Sequence, residues 1–328
     1  MCELGSGGVS MVSMAKRTLG TFGVNIACSS YIFIHYSLLV AYIARSSEII
    51  TTHLHIPLWA SGSLFSFVLG SICYFGSQRF IGAVNGTLVV GIIASFTALV
   101  VVASGDLDIT ALWRSNIEAL PASIPVIALS FVYQNVIPVL CTNLEGDLNK
   151  VRTAIVSGTA IPLALFVVWN GVILGSVTGD RSFDPLQQLR SSGDAVGPII
   201  EVFSLLAIAT SFLGFVLGLA DFLADLLKLP AREGRPLPFV MTLVPPVVLA
   251  MVEPDVFFKA LDFAGAYGVL VLFGILPAAM SWEDRRLGDQ SDIQLPRLIP
   301  GGQLALLFVM AAAGYVIFSE LLQTFSHV

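Results

Sequence analysis

The sequence predicts an all-α multi-pass membrane protein, a bundle of about nine transmembrane helices. Three observations carry this. Of 328 residues, 56% are hydrophobic and only 12% are charged, about half the charge of a soluble domain. The mean hydropathy is +0.87. The apolar residues gather in runs of about 20, the length that crosses a hydrocarbon core. A net charge of −6 leaves no basic field for phosphates and excludes a nucleic-acid partner. Cys2, Cys28, Cys73 and Cys141 form no CxxC pair, so they report neither a metal site nor a redox compartment.

The predicted spans are Val24–Ala44, Pro57–Phe75, Val84–Ser104, Ala119–Leu140, Ala154–Val177, Pro198–Leu219, Leu237–Val252, Phe257–Met280 and Gln303–Leu321. Within them only Glu201, Lys259, Asp262 and Glu320 are charged, each near an end, as hydrocarbon demands. With the N-terminus inside, the inner loops hold Lys16, Arg17, Arg79, Lys150, Arg152, Lys228, Arg232, Arg235, Arg285, Arg286 and Arg297. The outer side holds Arg45, Arg114, Arg181, Arg190 and Lys259. Eleven against five follows the positive-inside rule. The first twenty residues are too polar for a signal peptide, and every loop is too short to hold a soluble domain.

Enzyme motifs are scarce: no HExxH, P-loop or GxSxG occurs, and no cofactor or metal is expected. His35 is the one titratable group deep in a span. Its plain reading is a polar residue bonded within the bundle.

The fourth span is unusual. Ser130, Tyr133, Gln134 and Asn135 cluster near its middle, bracketed by Pro125 and Pro138. Each proline removes a donor and frees a carbonyl. Freed backbone is tolerated at that depth only where it is buried in protein or lines a cavity. The pattern predicts a broken helix, the device by which secondary transporters present half-helix ends to a substrate. The alternative is a proline-kinked helix with interhelical hydrogen bonds. In the sixth span, Thr210 and Ser211 offer hydroxyl oxygens to a hard cation, against the plain alternative of bonding back to their own helix. Gly214 and Gly218 form GxxxG, read as close packing. Asp221 and Asp225 share a face near the inner water boundary, either solvated or as an inner-gate ion pair. Tyr36 shares a face with Leu39, lining a pocket or filling core.

These residues resemble the tryptophan/tyrosine permeases, within the amino acid–polyamine–organocation superfamily. The resemblance is carried by Ser123-Ile-Pro-Val-Ile-Ala-Leu-Ser-Phe131 with Val136-Ile-Pro138, and by Gly158-Thr-Ala-Ile-Pro-Leu163 with Trp169 and Leu174-Gly-Ser176. It is best at Ala209-Thr-Ser-Phe-Leu-Gly214, Leu217-Gly-Leu219 and Asp221-Phe-Leu-Ala-Asp-Leu226. It runs on through Pro245-Pro246 and Ala264-Gly265, and includes Ala15-Lys-Arg-Thr-Leu-Gly20.

The resemblance implies a LeuT-like inverted-repeat bundle and ion-coupled uptake of an aromatic amino acid. Residues 24–104 would be the remainder of a first repeat, 119–280 a second repeat and 303–321 an added helix. Ser130, Phe131, Tyr133, Gln134 and Asn135 fall where the broken helix of the second repeat meets substrate, and Tyr36 on a helix facing that pocket. Thr210 and Ser211 fall where sodium-coupled relatives of the fold hold a cation. Proton against sodium stays open, as do tryptophan against tyrosine and the oligomeric state. Tyr133-Gln134-Asn135 stands where the bacterial permeases carry Phe-His-Gly. By the family pattern the chain begins near the end of the second helix. A non-transporting partner or regulator of a full-length permease is therefore the alternative. Tyr31-Ile-Phe-Ile-His-Tyr36 and Cys73-Tyr-Phe-Gly-Ser-Gln78 look more like plant members, for which the plastid envelope is the expected membrane. A plasma or bacterial inner membrane is the alternative.

Overall fold

A computed structural model describes residues 11–104, 109–113, 120–132, 137, 140–141, 144–176, 196–227, 229, 236–253, 256–288 and 302–326. Among these residues every regular element is helical. They are α1 (Met11–Leu54), α2 (Leu58–Phe75), α3 (Gln78–Ala103), a 3-10 turn (Ile109–Trp113), α4 (Leu120–Ser130), α5 (Leu148–Ser176), α6 (Val196–Leu226), α7 (Pro236–Val252) and α8 (Phe257–Phe263). A π-helical segment (Ala264–Ile275) then leads into α9 (Leu276–Gly288), and α10 (Gly302–Ser326) follows.

Among the described residues seven helical stretches are long and apolar enough to cross a membrane: α1, α2, α3, α5, α6, the run Phe257–Arg286, and α10. Many of their large apolar side chains point outward. Val90 and Ile93 of α3, Ile161 and Val167 of α5, and Leu304 and Phe308 of α10 are all exposed, which suits contact with lipid chains. The protein is an integral, multi-pass membrane protein.

The remaining two predicted stretches form shorter helices. The helix in the fourth ends at Ser130, after 11 residues. The seventh, α7, has 17 residues and contains Pro245 and Pro246. Two long-range contacts tie these helix ends together. Nε2–H of His53, at the end of α1, donates to Glu201 at the start of α6 across 2.7 Å. The Arg45 guanidinium carbon stands 5.9 Å from the centroid of the Phe257 ring.

Helix α1 is far longer than the predicted Val24–Ala44, at 44 residues. Its outer end is rich in Ser and Thr, which a count of apolar residues treats as loop. These hydroxyls are satisfied inside the helix. Ser46 and Ser47 both donate to the Ile43 carbonyl, at 3.0 and 2.6 Å, and Thr52 donates to that of Glu48 at 2.9 Å. Near the other end Gly20 breaks the helical path, with φ 64° and ψ −151°. That region is essentially glycine-only. A Cβ there would touch nothing, so the penalty of a substitution is purely conformational. Gly20→Ala is expected to cost about 1–3 kcal/mol, read as a lower melting temperature of the purified protein.

The chain forms two compact units, each assembled from separated stretches: Met1–Ser37, Glu118–Thr159 and Lys259–Val328, and Leu38–Ile117 with Ala160–Phe258. In the first, the π-helical segment packs against α4 and α10. In the second, α6 packs against α2, α3 and α7. Phe212, Leu213, Val216 and Leu219 of α6 are buried at its centre. Leu99, Ala103, Val172, Val196 and Ile200 form a further buried cluster there, with Trp169 packed against it. Phe96, Trp169 and Phe203 complete it, their ring centroids 6.1–6.3 Å apart.

Asp147 caps α5. Its Oδ1 accepts the backbone N–H groups of Asn149 and Lys150 at 3.0 and 3.2 Å, the geometry of an N-cap. Lys150 Nζ stands 3.3 Å from its other oxygen. The Lys150 N–H, first among these groups, holds the Asp147 carboxyl below its ordinary value. A carboxyl depressed in the folded state stabilises the fold above its unfolded pKa, and that contribution is lost as pH falls through the folded value. Asp147→Ala should therefore lower the melting temperature at about pH 7, and the gap should narrow as the pH falls below the ordinary aspartate range.

Candidate functional site

Helix α4 stops in the middle of an apolar stretch. Its 11 residues reach about 16 Å, roughly half the hydrocarbon thickness. The last turn tightens: the N–H of Phe131 bonds the Ala128 carbonyl and that of Val132 the Leu129 carbonyl, both at 3.3 Å. These i→i+3 bonds are typical of a helix end. Ser130 is exposed, and its hydroxyl donates to the Val126 carbonyl at 2.9 Å. That leaves its lone pairs as acceptors. Phe131 follows directly on the helix end, half-buried. Tyr133, Gln134 and Asn135 lie outside the described residues.

Tyr36 belongs to the same compact unit as Ser130 and Phe131. It sits on α1, half-buried, beside a fully structural histidine. His35 is 4% exposed and its Nδ1–H donates to the Tyr31 carbonyl at 2.8 Å. Its ring stacks on Tyr31 with centroids 3.9 Å apart. The plain reading of His35, a polar side chain bonded within the bundle, matches this geometry.

Thr210 and Ser211 lie in the other unit, both half-buried on α6. The Thr210 hydroxyl donates to the Ala207 carbonyl at 2.9 Å, again keeping its lone pairs. Ser211 shares a hydrogen bond with the Tyr42 hydroxyl, and the Tyr42 ring meets Phe215, one turn along α6, edge-on at 5.8 Å. Tyr42 was invisible to sequence reasoning, because nothing local ties an aromatic on α1 to a serine so far along the chain. The GxxxG reading needs correction at Gly214. A Cβ there would meet nothing within 4 Å, so among the described residues this glycine serves no close packing. It leaves open space one turn from Thr210 and Ser211. Asp221 and Asp225 are exposed at the C-terminal end of α6. Lys228, Arg232 and Arg235, the basic residues an inner gate would use, lie outside the described residues.

Residues 2–320 match the tryptophan/tyrosine permease family. The chain belongs to that family. Its relatives include tyrosine-specific transport system 1 of Haemophilus influenzae, 26% identical over 316 residues, spanning 91% of this chain and 78% of that protein. The tryptophan-specific transport protein of Pseudomonas aeruginosa is 27% identical over 333 residues, 93% of this chain and 79% of that one. The tryptophan-specific transport protein of Haemophilus influenzae is 26% identical over 337 residues, 92% and 78% respectively. The family is one of permeases, not enzymes.

Proposed function

We propose that this permease is a secondary active transporter that carries tryptophan or tyrosine together with a cation. Two relatives named for tryptophan and one named for tyrosine support the substrate class. The observation that carries the reading is the end of α4 at Ser130, inside an apolar stretch. The last carbonyls of a helix hold the negative end of its dipole, a partner for the substrate's ammonium group. Phe131, Tyr133 and Tyr36 are the candidates to receive the ring, and Ser130, Gln134 and Asn135 to supply further polar contacts. With sodium as the coupling ion, Thr210 and Ser211 offer it oxygens; the proton is the other candidate ion, and Asp221 and Asp225 stand at the inner gate. The fold this asks for is the LeuT-like inverted repeat, with residues 24–104 and 119–280 as the repeats and 303–321 as the added helix.

Equilibrium binding tests the substrate assignment. Labelled tryptophan and tyrosine should bind the purified chain and be displaced by unlabelled aromatic amino acids, but not by leucine or lysine. Displacement by leucine as efficiently as by tryptophan would overturn the aromatic assignment.

A further inference from the structure

The twelve residues Ala264–Ile275 form a π-helix, where most such structure occurs as single-turn bulges, frequently at functional sites. The register is confirmed at its end, where the Leu276 N–H bonds the Val271 carbonyl, five residues back. Three of its glycines face three different neighbours. A Cβ on Gly274 would approach that of Ala313 on α10 at 3.3 Å. One on Gly268 would overlap the Ile34 side chain on α1, a group with rotamers to move through. One on Gly265 would overlap the carbonyl oxygen of Pro125, with the carbonyl carbon at 2.7 Å and the Cα at 3.1 Å. Here backbone meets backbone.

Pro125 is fully buried, and its ring fixes its own φ. It cannot absorb a displacement by turning a side chain. It stands five residues before Ser130 on α4, about 7.5 Å along the helix.

We infer that Gly265 is a positioning residue for the substrate: its missing Cβ seats the Pro125 carbonyl, and that seat sets where the end of α4 presents Ser130 and Phe131. The inference rests on the reading that this helix end meets the aromatic amino acid. A methyl at Gly265 must push the α4 backbone back by on the order of 1 Å to restore ordinary contact distances. A displacement of that size at a binding group weakens it by roughly ten- to a hundredfold.

The test compares Gly265→Ala with Gly274→Ala, in the reconstituted full chain. Both add one methyl to the same π-helical segment, but only the first meets α4. The Kd for labelled tryptophan is measured on the folded, monodisperse fraction, so that lost folding lowers the amplitude and not the Kd. Gly265→Ala should raise Kd roughly tenfold or more, while Gly274→Ala stays within about twofold. Equal Kd values for Gly265→Ala and the unaltered chain overturn the inference, as does an equal rise in both variants. Should Gly265→Ala fail to fold, Pro125→Ala tests the same seat from the other side. Alanine is the best helix former, and it restores the N–H that lets α4 straighten away from Gly265. A tenfold weaker Kd is again expected, and an unchanged one overturns the inference. Ser130→Cys separates the two layers of the argument. Tryptophan should slow its labelling by a maleimide. Absence of protection contradicts the substrate reading itself, whereas protection with an unaltered Gly265→Ala Kd contradicts only the positioning role.

Discussion

Phe131→Ala is expected to weaken tryptophan binding by roughly ten- to a hundredfold, the loss of a ring-on-ring contact and its buried apolar area, about 1.5–3 kcal/mol. The folded yield should change little, because Phe131 lies beyond the last residue of α4 and is only half-buried. Phe131→Tyr and Phe131→Leu sort the contributions. The tyrosine variant keeps the ring and should bind nearly normally, while leucine keeps the apolar volume and should recover only part of the affinity. Isothermal or radioligand binding on purified protein reads all three. Alanine binding as tightly as phenylalanine would remove Phe131 from the site.

The second large effect concerns coupling. Thr210→Val keeps the shape of the side chain and removes the hydroxyl, and Ser211→Ala removes the group held by Tyr42. If these oxygens serve the coupling cation, each loss costs about 1.5–3 kcal/mol of interaction with a charged group, a fall of roughly ten- to a hundredfold in cation affinity. The dependence of uptake on cation concentration should shift by that factor, while substrate binding at saturating cation stays close to normal. Tyr42→Phe should give a smaller shift in the same direction, since it releases the Ser211 hydroxyl without removing it. An unchanged cation dependence in Thr210→Val and Ser211→Ala would place the coupling site elsewhere.

Much of this architecture is legible in the sequence, and the exceptions have definite causes. Apolar run length finds the seven helical stretches long enough to cross, because hydrocarbon rejects charge. The interruption at Ser130 is legible because Pro125, Ser130 and the amides after it are costly in an unbroken apolar helix. Run length fails at the outer end of α1, where Ser46, Ser47 and Thr52 satisfy themselves on the preceding turn and the helix continues past the apolar core. The π-helical register of Ala-Gly-Ala-Tyr-Gly-Val-Leu-Val-Leu-Phe-Gly-Ile is illegible, because the same residues read as a plain apolar helix. Its contacts with Pro125 and Ala313 come from distant parts of the chain. The pairing of Tyr42 with Ser211 is hidden for the same reason. Gly214 misled in the opposite direction: its spacing to Gly218 signals close packing, yet space lies beside it.

The most direct test of the proposed transport is uptake of labelled tryptophan and tyrosine into proteoliposomes containing the purified chain, with an imposed proton or sodium gradient and with none. The account predicts accumulation above the external concentration with one of the two gradients, abolished when that gradient is collapsed and competed by unlabelled aromatic amino acids. Folded protein that binds neither amino acid, or that shows no accumulation with either gradient, would contradict it.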